Sequence, residues 1–151
     1  MRIRILSMIL TTALLAPAPS LAVAQSGAPQ PSAPLKGRVQ VPASGEFALL
    51  DGTVAIASTL SVAPDGSTWM SYTCEAAGNA VGETSRANYA VSGVESGKLQ
   101  ITQALPLDVG LSCRVALAAP NMVQQFRLSL QAALDVNGAI SSVIVRTIGA
   151  F

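Results

Sequence analysis

The chain has 151 residues, half of them apolar, and nine Lys and Arg against eight Asp and Glu, a net charge of +1. That balance excludes the electrostatic steering on which nucleic-acid and anionic-membrane binders rely. Histidine is absent, which removes the usual general base, the Ser-His-Asp triad, the Cys-His dyad and most zinc sites.

Read from its start, the chain opens with Met1-Arg2-Ile3-Arg4, a positive start, followed over 5–16 by an apolar run too short to span a bilayer. Ala22-Val23-Ala24 then offers a small-residue cleavage site before Gln25. Residues 1–24 therefore read as a secretory signal peptide, and the expected location is secreted or periplasmic, in the cell envelope. No cysteine stands at the cleavage point, which argues against a lipoprotein, and no later stretch suits a transmembrane helix. The expected mature chain carries seven Lys and Arg (nine less Arg2 and Arg4) against eight Asp and Glu.

Residues 25–36 are rich in Pro, Ala and Ser, with Pro29, Pro31 and Pro34 closely spaced, and are expected to form a flexible leader. Residues 37–151 are expected to form one β domain. Short segments follow one another at turn signals: 38–41 before Pro42-Ala43-Ser44-Gly45, 46–50 before Asp51-Gly52, and 54–62 before Pro64-Asp65-Gly66. In the third of these, Val54, Ile56, Leu60 and Val62 alternate with small or polar residues.

Over 67–77 the alternation sets Met70, Tyr72 and Cys74 on one face and Trp69, Thr73 and Glu75 on the other, before an expected loop over 78–83. Strands over 86–94 and 98–105 are expected to meet at Glu95-Ser96-Gly97. Leu111, Cys113, Val115 and Leu117 then share one face. The last thirty residues read as a hairpin: Met122, Phe126, Leu128, Leu130, Ala132, Leu134 and Val136 line its inner face, and Asn137-Gly138 suits a two-residue type I′ turn. With that turn Leu130 faces Val145 and Gln131 faces Ile144, so Ile140, Ile144 and Ile148 fall on the outer face.

The fold expected is an antiparallel β-sandwich of about eight or nine strands, with a closed β-barrel as the alternative. Cys74 and Cys113 both face inward on different strands and are expected to form its one disulfide, given the export signal. Tyr72-Thr73-Cys74, followed by a hairpin to Val91, resembles the last hairpin of an immunoglobulin-type domain, whose Tyr-x-Cys marks a tyrosine corner. The match stops there: the only other cysteine lies downstream and further strands follow, so it is read as shared hairpin chemistry and not as membership.

No catalytic constellation and no cofactor or metal site emerges. Gly93-Val94-Glu95-Ser96-Gly97-Lys98-Leu99 is one residue short of a phosphate loop and has Leu99 where a hydroxyl is needed, so it reads as a turn. Asp135-Val136-Asn137-Gly138 starts like a calcium loop but lacks the later bidentate carboxylate, and reads as the hairpin turn. Trp69, the sole tryptophan, is the candidate binding residue, able to stack on a sugar ring or enter a partner.

The candidate interface residues are Val39 and Val41, which alternate as anchors for strand addition, and Ile140, Ile144 and Ile148 on the two-faced terminal strand. These features suggest a non-enzymatic exported module, a surface, fibre or adhesion-type structural component. The expected partners are a second copy or an envelope protein, with no nucleic acid. A periplasmic ligand-binding or accessory domain centred on Trp69 is the alternative. A small outer-membrane barrel is suggested by the terminal Phe151, but sparse aromatics and short strands argue against it.

Overall fold

Two-residue alternation runs through nearly the whole described chain, and the strands it builds are longer than the turn signals suggest. The computed structural model describes residues 30–150, which form β1 (Ser32–Val41), β2 (Glu46–Val62), β3 (Thr68–Gly82), β4 (Asn88–Ile101), β5 (Leu107–Ala119), β6 (Met122–Leu134) and β7 (Ile140–Ala150). The expected signal peptide and the first part of the leader lie outside the described residues. The rest of the leader is corrected: Ser32 to Lys36 belong to β1 and pair with Ala55 to Asp51.

Seven strands replace the eight or nine expected because two turn signals lie inside strands, and an expected loop also turns out to be mostly strand. Asp51-Gly52 sits within β2, residues 78–82 continue β3, and Glu95-Ser96-Gly97 sits within β4. Gly52 and Gly78 face each other across the β2–β3 ladder, and a Cβ on either would collide with the backbone of the other strand. Here glycine permits close approach of two strands and makes no turn. The phosphate-loop look-alike is likewise strand, since Gly93 to Leu99 pair in register with Ala76 to Met70.

Among the described residues each strand forms a ladder only with its neighbours in sequence, in the order β1 to β7, so the fold is an all-β antiparallel meander. The sheet curls until β1 and β7 flank one another, giving a nearly closed barrel. Inward positions are apolar: Leu35, Val39 and Val41 from β1, Val54 and Ile56 from β2, and Phe126, Leu128 and Leu134 from β6 are all buried. The outward row of β3 is Trp69, Ser71, Thr73, Glu75, Ala77, Asn79 and Val81. The apolar interior differs from the polar interior of an outer-membrane barrel. Among the described residues no helix is long and apolar enough to cross a membrane.

The weak joint lies between β4 and β5, whose ladder comprises Ala90↔Ala118, Val91↔Leu117 and Ser92↔Ala116. Beyond Gly93, which still lies against the backbone of Arg114 and Val115, side chains replace the ladder. The Glu95 carboxylate accepts from the Arg114 amide at 2.6 Å, and the Tyr72 hydroxyl donates to the Ser112 carbonyl at 3.4 Å. A Cβ at Gly97 would strike the Tyr72 ring, so the glycine makes room for the aromatic to reach across. Beneath this joint Cys74 and Cys113 form the expected disulfide, both fully buried, with Cα atoms 6.0 Å apart, tying β3 to β5.

The terminal hairpin corrects part of its expected register. Asp135 N–H donates to the Ala139 carbonyl and Gly138 N–H to the Asp135 carbonyl, with Gly138 at φ +77°. This is a three-residue loop and not a two-residue type I′ turn. One extra residue at Ser141 then restores the expected register, Leu130↔Val145 and Gln131↔Ile144, and a second irregularity beyond Leu130 shifts it again to Leu128↔Ile148. A shift of one residue exchanges faces. Ile144 is therefore outward as expected, 45 % exposed, whereas Ile140 is buried and Ile148 packs against the core. Val136, expected inside, is exposed at the turn.

Candidate functional site

Trp69 stands at the start of β3, immediately after the β2–β3 turn, and that turn fixes its ring. Pro64-Asp65-Gly66 reverses the chain with Gly66 at φ +84°, and the Ala63 amide donates to the Ser67 carbonyl at 2.8 Å. The Asp65 carboxylate accepts from the Ser67 amide at 2.9 Å and from its hydroxyl at 2.6 Å. The Ser67 hydroxyl in turn accepts from the indole Nε1–H of Trp69 at 2.9 Å. The Ser67 hydroxyl and amide hold the Asp65 carboxyl below its ordinary pKa, so this anchor stays ionised. Lys98 approaches from β4, its ammonium 5.1 Å from the centre of the indole ring.

The register of β2, β3 and β4 then determines what lies beside the ring. Ser61, Trp69 and Gln100 form one row across the sheet; Thr59, Ser71 and Lys98 form the next; Ala57, Thr73 and Ser96 form a third. Small side chains in the second and third rows leave an open depression of about 530 Å³, floored by Ser58, Tyr72 and Gly97. Thr73 and Ser96 share a hydrogen bond of 2.9 Å across the strands. Most of the lining surface is apolar, and the Ser and Thr hydroxyls set into it can each donate and accept a hydrogen bond, a combination that a sugar, with its C–H faces and hydroxyls, can meet. Trp69 stands one row beyond the depression and does not itself line it; Lys98, which does, reaches the indole and supplies a positive charge.

The depression was not legible beforehand, although Trp69 and its outward face were. Thr59, Ser71, Ser96 and Lys98 come together only once β4 is continuous through Glu95-Ser96-Gly97, where turn chemistry implies a break. A tendency to place Ser and Thr at outward positions of three successive strands is the one signal that could have found it.

The other sequence-derived candidates lie elsewhere. Val39 and Val41 face the core of their own sheet, paired through β1 with Ala48 and Glu46, and so are not available to a neighbour's groove. Ile140 and Ile148 are interior for the reason of register given above, and Ile144 alone of the three lies outward. None of them lines the depression. A further group went unread: the nearly buried Glu46 carboxylate accepts from the Thr84 amide at 3.0 Å, the Ser85 amide at 2.9 Å, the Ser85 hydroxyl at 2.5 Å and the Tyr89 hydroxyl at 3.2 Å. Its role is to fasten the β3–β4 turn to the β1–β2 end of the barrel. Among the described residues no three potential ligand groups gather where they could hold a metal ion. No protein-family model, curated protein or solved structure matches the chain.

Proposed function

We propose that the chain is an exported, non-enzymatic β module of adhesion type, which holds a polyhydroxyl ligand such as a surface oligosaccharide on the outer face of β2, β3 and β4. The observation that carries this reading is the depression, apolar with hydroxyls set into it, one row from a tryptophan that its own turn holds in place. A ring fixed before binding loses little freedom on binding, and aromatic faces and edges recognise sugars through their apolar C–H surfaces. The buried disulfide supports export, because such bonds persist in oxidising compartments. The signal-like start of the sequence agrees with it.

Trp69 reports on its own site, being the sole tryptophan. Titration with a panel of neutral and acidic oligosaccharides is expected to change its emission saturably for at least one member. Ser71→Arg, which fills the depression without touching the core, is expected to weaken that response at least about tenfold, or about 1.4 kcal/mol. An emission unmoved by every member of the panel, or a response indifferent to Ser71→Arg, overturns the assignment.

A further inference from the structure

Among the residues that line the depression on β2, β3 and β4, Lys98 alone carries a charge. No carboxylate of the described residues neutralises it. Lys36 has Asp51 and Arg38 has Glu83 as ion-pair partners, whereas the neighbour of Lys98 is the Trp69 ring, 5.1 Å from its ammonium. A contact with a ring leaves the positive charge in place, and it leaves the ammonium's three donors open to an acceptor.

The register gives that charge a polar companion and no competitor. The rows Ser61–Trp69–Gln100, Thr59–Ser71–Lys98 and Ala57–Thr73–Ser96 contain no carboxylate. Glu75 stands beyond Thr73, about 13 Å along β3 from Ser71, and the Asp65 carboxylate is engaged by the amide and hydroxyl of Ser67. Ser71 lies directly opposite Lys98, and side chains at opposed positions of an antiparallel pair start about 5 Å apart. An ammonium and a hydroxyl so placed can meet two oxygens of a single carboxylate or sulfate. Hydrogen bonds to an ionised acceptor are roughly twice as strong as those between neutral groups.

We propose that the depression takes an acidic sugar, whose carboxylate or sulfate lies between Lys98 and Ser71 while its C–H face rests on the apolar lining. The proposal rests on the sugar-binding reading given above and names the ligand class of that same site. The chain as a whole is close to neutral, with a net charge of +1, so a preference for acidic ligands has to come from the local cation and not from overall charge.

The test is calorimetric titration of the disulfide-bonded protein with the oligosaccharide panel arranged as matched pairs, since heat, unlike indole emission, does not depend on the Lys98–Trp69 contact. Each acidic member is set against its own neutral form: an oligogalacturonate against its methyl ester, and a sulfated galactan oligosaccharide against the desulfated one. In at least one pair the acidic member is expected to bind at least about tenfold more tightly at low salt, with the advantage shrinking as salt is raised. Lys98→Met, which keeps the stem and removes the charge, is expected to cut the advantage below about threefold. Lys98→Arg should retain it, and so should Lys36→Met, which removes the same charge from β1. Neutral members that bind as tightly as their acidic forms in every pair, or an advantage that survives Lys98→Met, overturn the acidic class while leaving the sugar site standing. Absence of binding by every member of the panel overturns the site and the class together.

Discussion

Glu46 shows how much one side chain settles that the alternation pattern does not announce. As the first residue of a strand reading Glu-Phe-Ala-Leu-Leu it resembles any polar strand end, yet its carboxylate turns inward and gathers four donors from the β3–β4 turn and Tyr89. The hydroxyl of Ser85 first, and then its amide, lower the pKa from 4.5 to about 2; desolvation opposes them, and Thr84 and Tyr89 add smaller contributions. A carboxylate whose pKa falls on folding stabilises the fold fully above its unfolded value, and that contribution fades as pH drops from about 4.5 towards about 2. Glu46→Gln turns an amide donor toward other donors, and its thermal midpoint should lie below that of the wild type by a constant amount between about pH 5.5 and about pH 7. The gap should then close as the pH is taken down through 4 to 2. A gap that stays constant down to pH 2 would show that the carboxylate charge is not what fastens the turn. Trp69 was legible as an outward aromatic; the Asp65–Ser67 relay that fixes it was hidden inside a turn signal.

At the scale of elements, local chemistry located turns well only where no cross-strand partner competed. Pro64-Asp65-Gly66 and Asn137-Gly138 do reverse the chain, while Asp51-Gly52 and Glu95-Ser96-Gly97 are absorbed by ladders to β3. The terminal hairpin makes the same point more finely. Its middle register follows from alternation, but each end slips by one residue, and nothing in the composition of 140–148 marks where. The β4–β5 joint is the element on which the disulfide acts. With the ladder confined to residues 90–92 and 116–118, the bond at Cys74–Cys113 is the covalent tie across the part that has no ladder, closing a separation of 39 residues. In the chain-entropy account a loop of that length is worth about 4 kcal/mol. Cys74→Ser with Cys113→Ser should therefore lower stability by about 2–4 kcal/mol in denaturant titration. Amide exchange should rise first over 107–115 and 93–101. Uniform acceleration across all seven strands would mean that the joint is no weaker than the rest.

For the molecule as a whole, the number of strands matters more than any single pairing. In an up-and-down meander of seven, the first and last strands run the same way, so β1 and β7 approach each other in parallel across a seam that no ladder closes among the described residues. The seam is sealed by side chains instead. Ile148 from β7 lies over Gly37 of β1, where a Cβ would meet its Cδ1, and Gln124 of β6 donates to the Gln40 carbonyl at 2.9 Å. Alternation in the sequence could show that strands exist and which face each buries, but closure depends on an odd strand count and on two register slips, both set by long-range packing. The depression beside Trp69 sits away from this seam, on ladders that run unbroken from Ala48↔Gly82 to Val62↔Thr68 and from Thr68↔Ile101 to Val81↔Asn88. Opening the seam should thus leave the face proposed to bind ligand intact. Ile148→Ala removes a half-buried side chain and should cost about 1–2 kcal/mol, less than a fully buried isoleucine. It should accelerate amide exchange in β1 and β7 while leaving the emission of Trp69 and its response to ligand unchanged. If the variant instead alters that emission, the seam and the depression are mechanically coupled, and the platform formed by β2, β3 and β4 is not the independent unit that its continuous register implies.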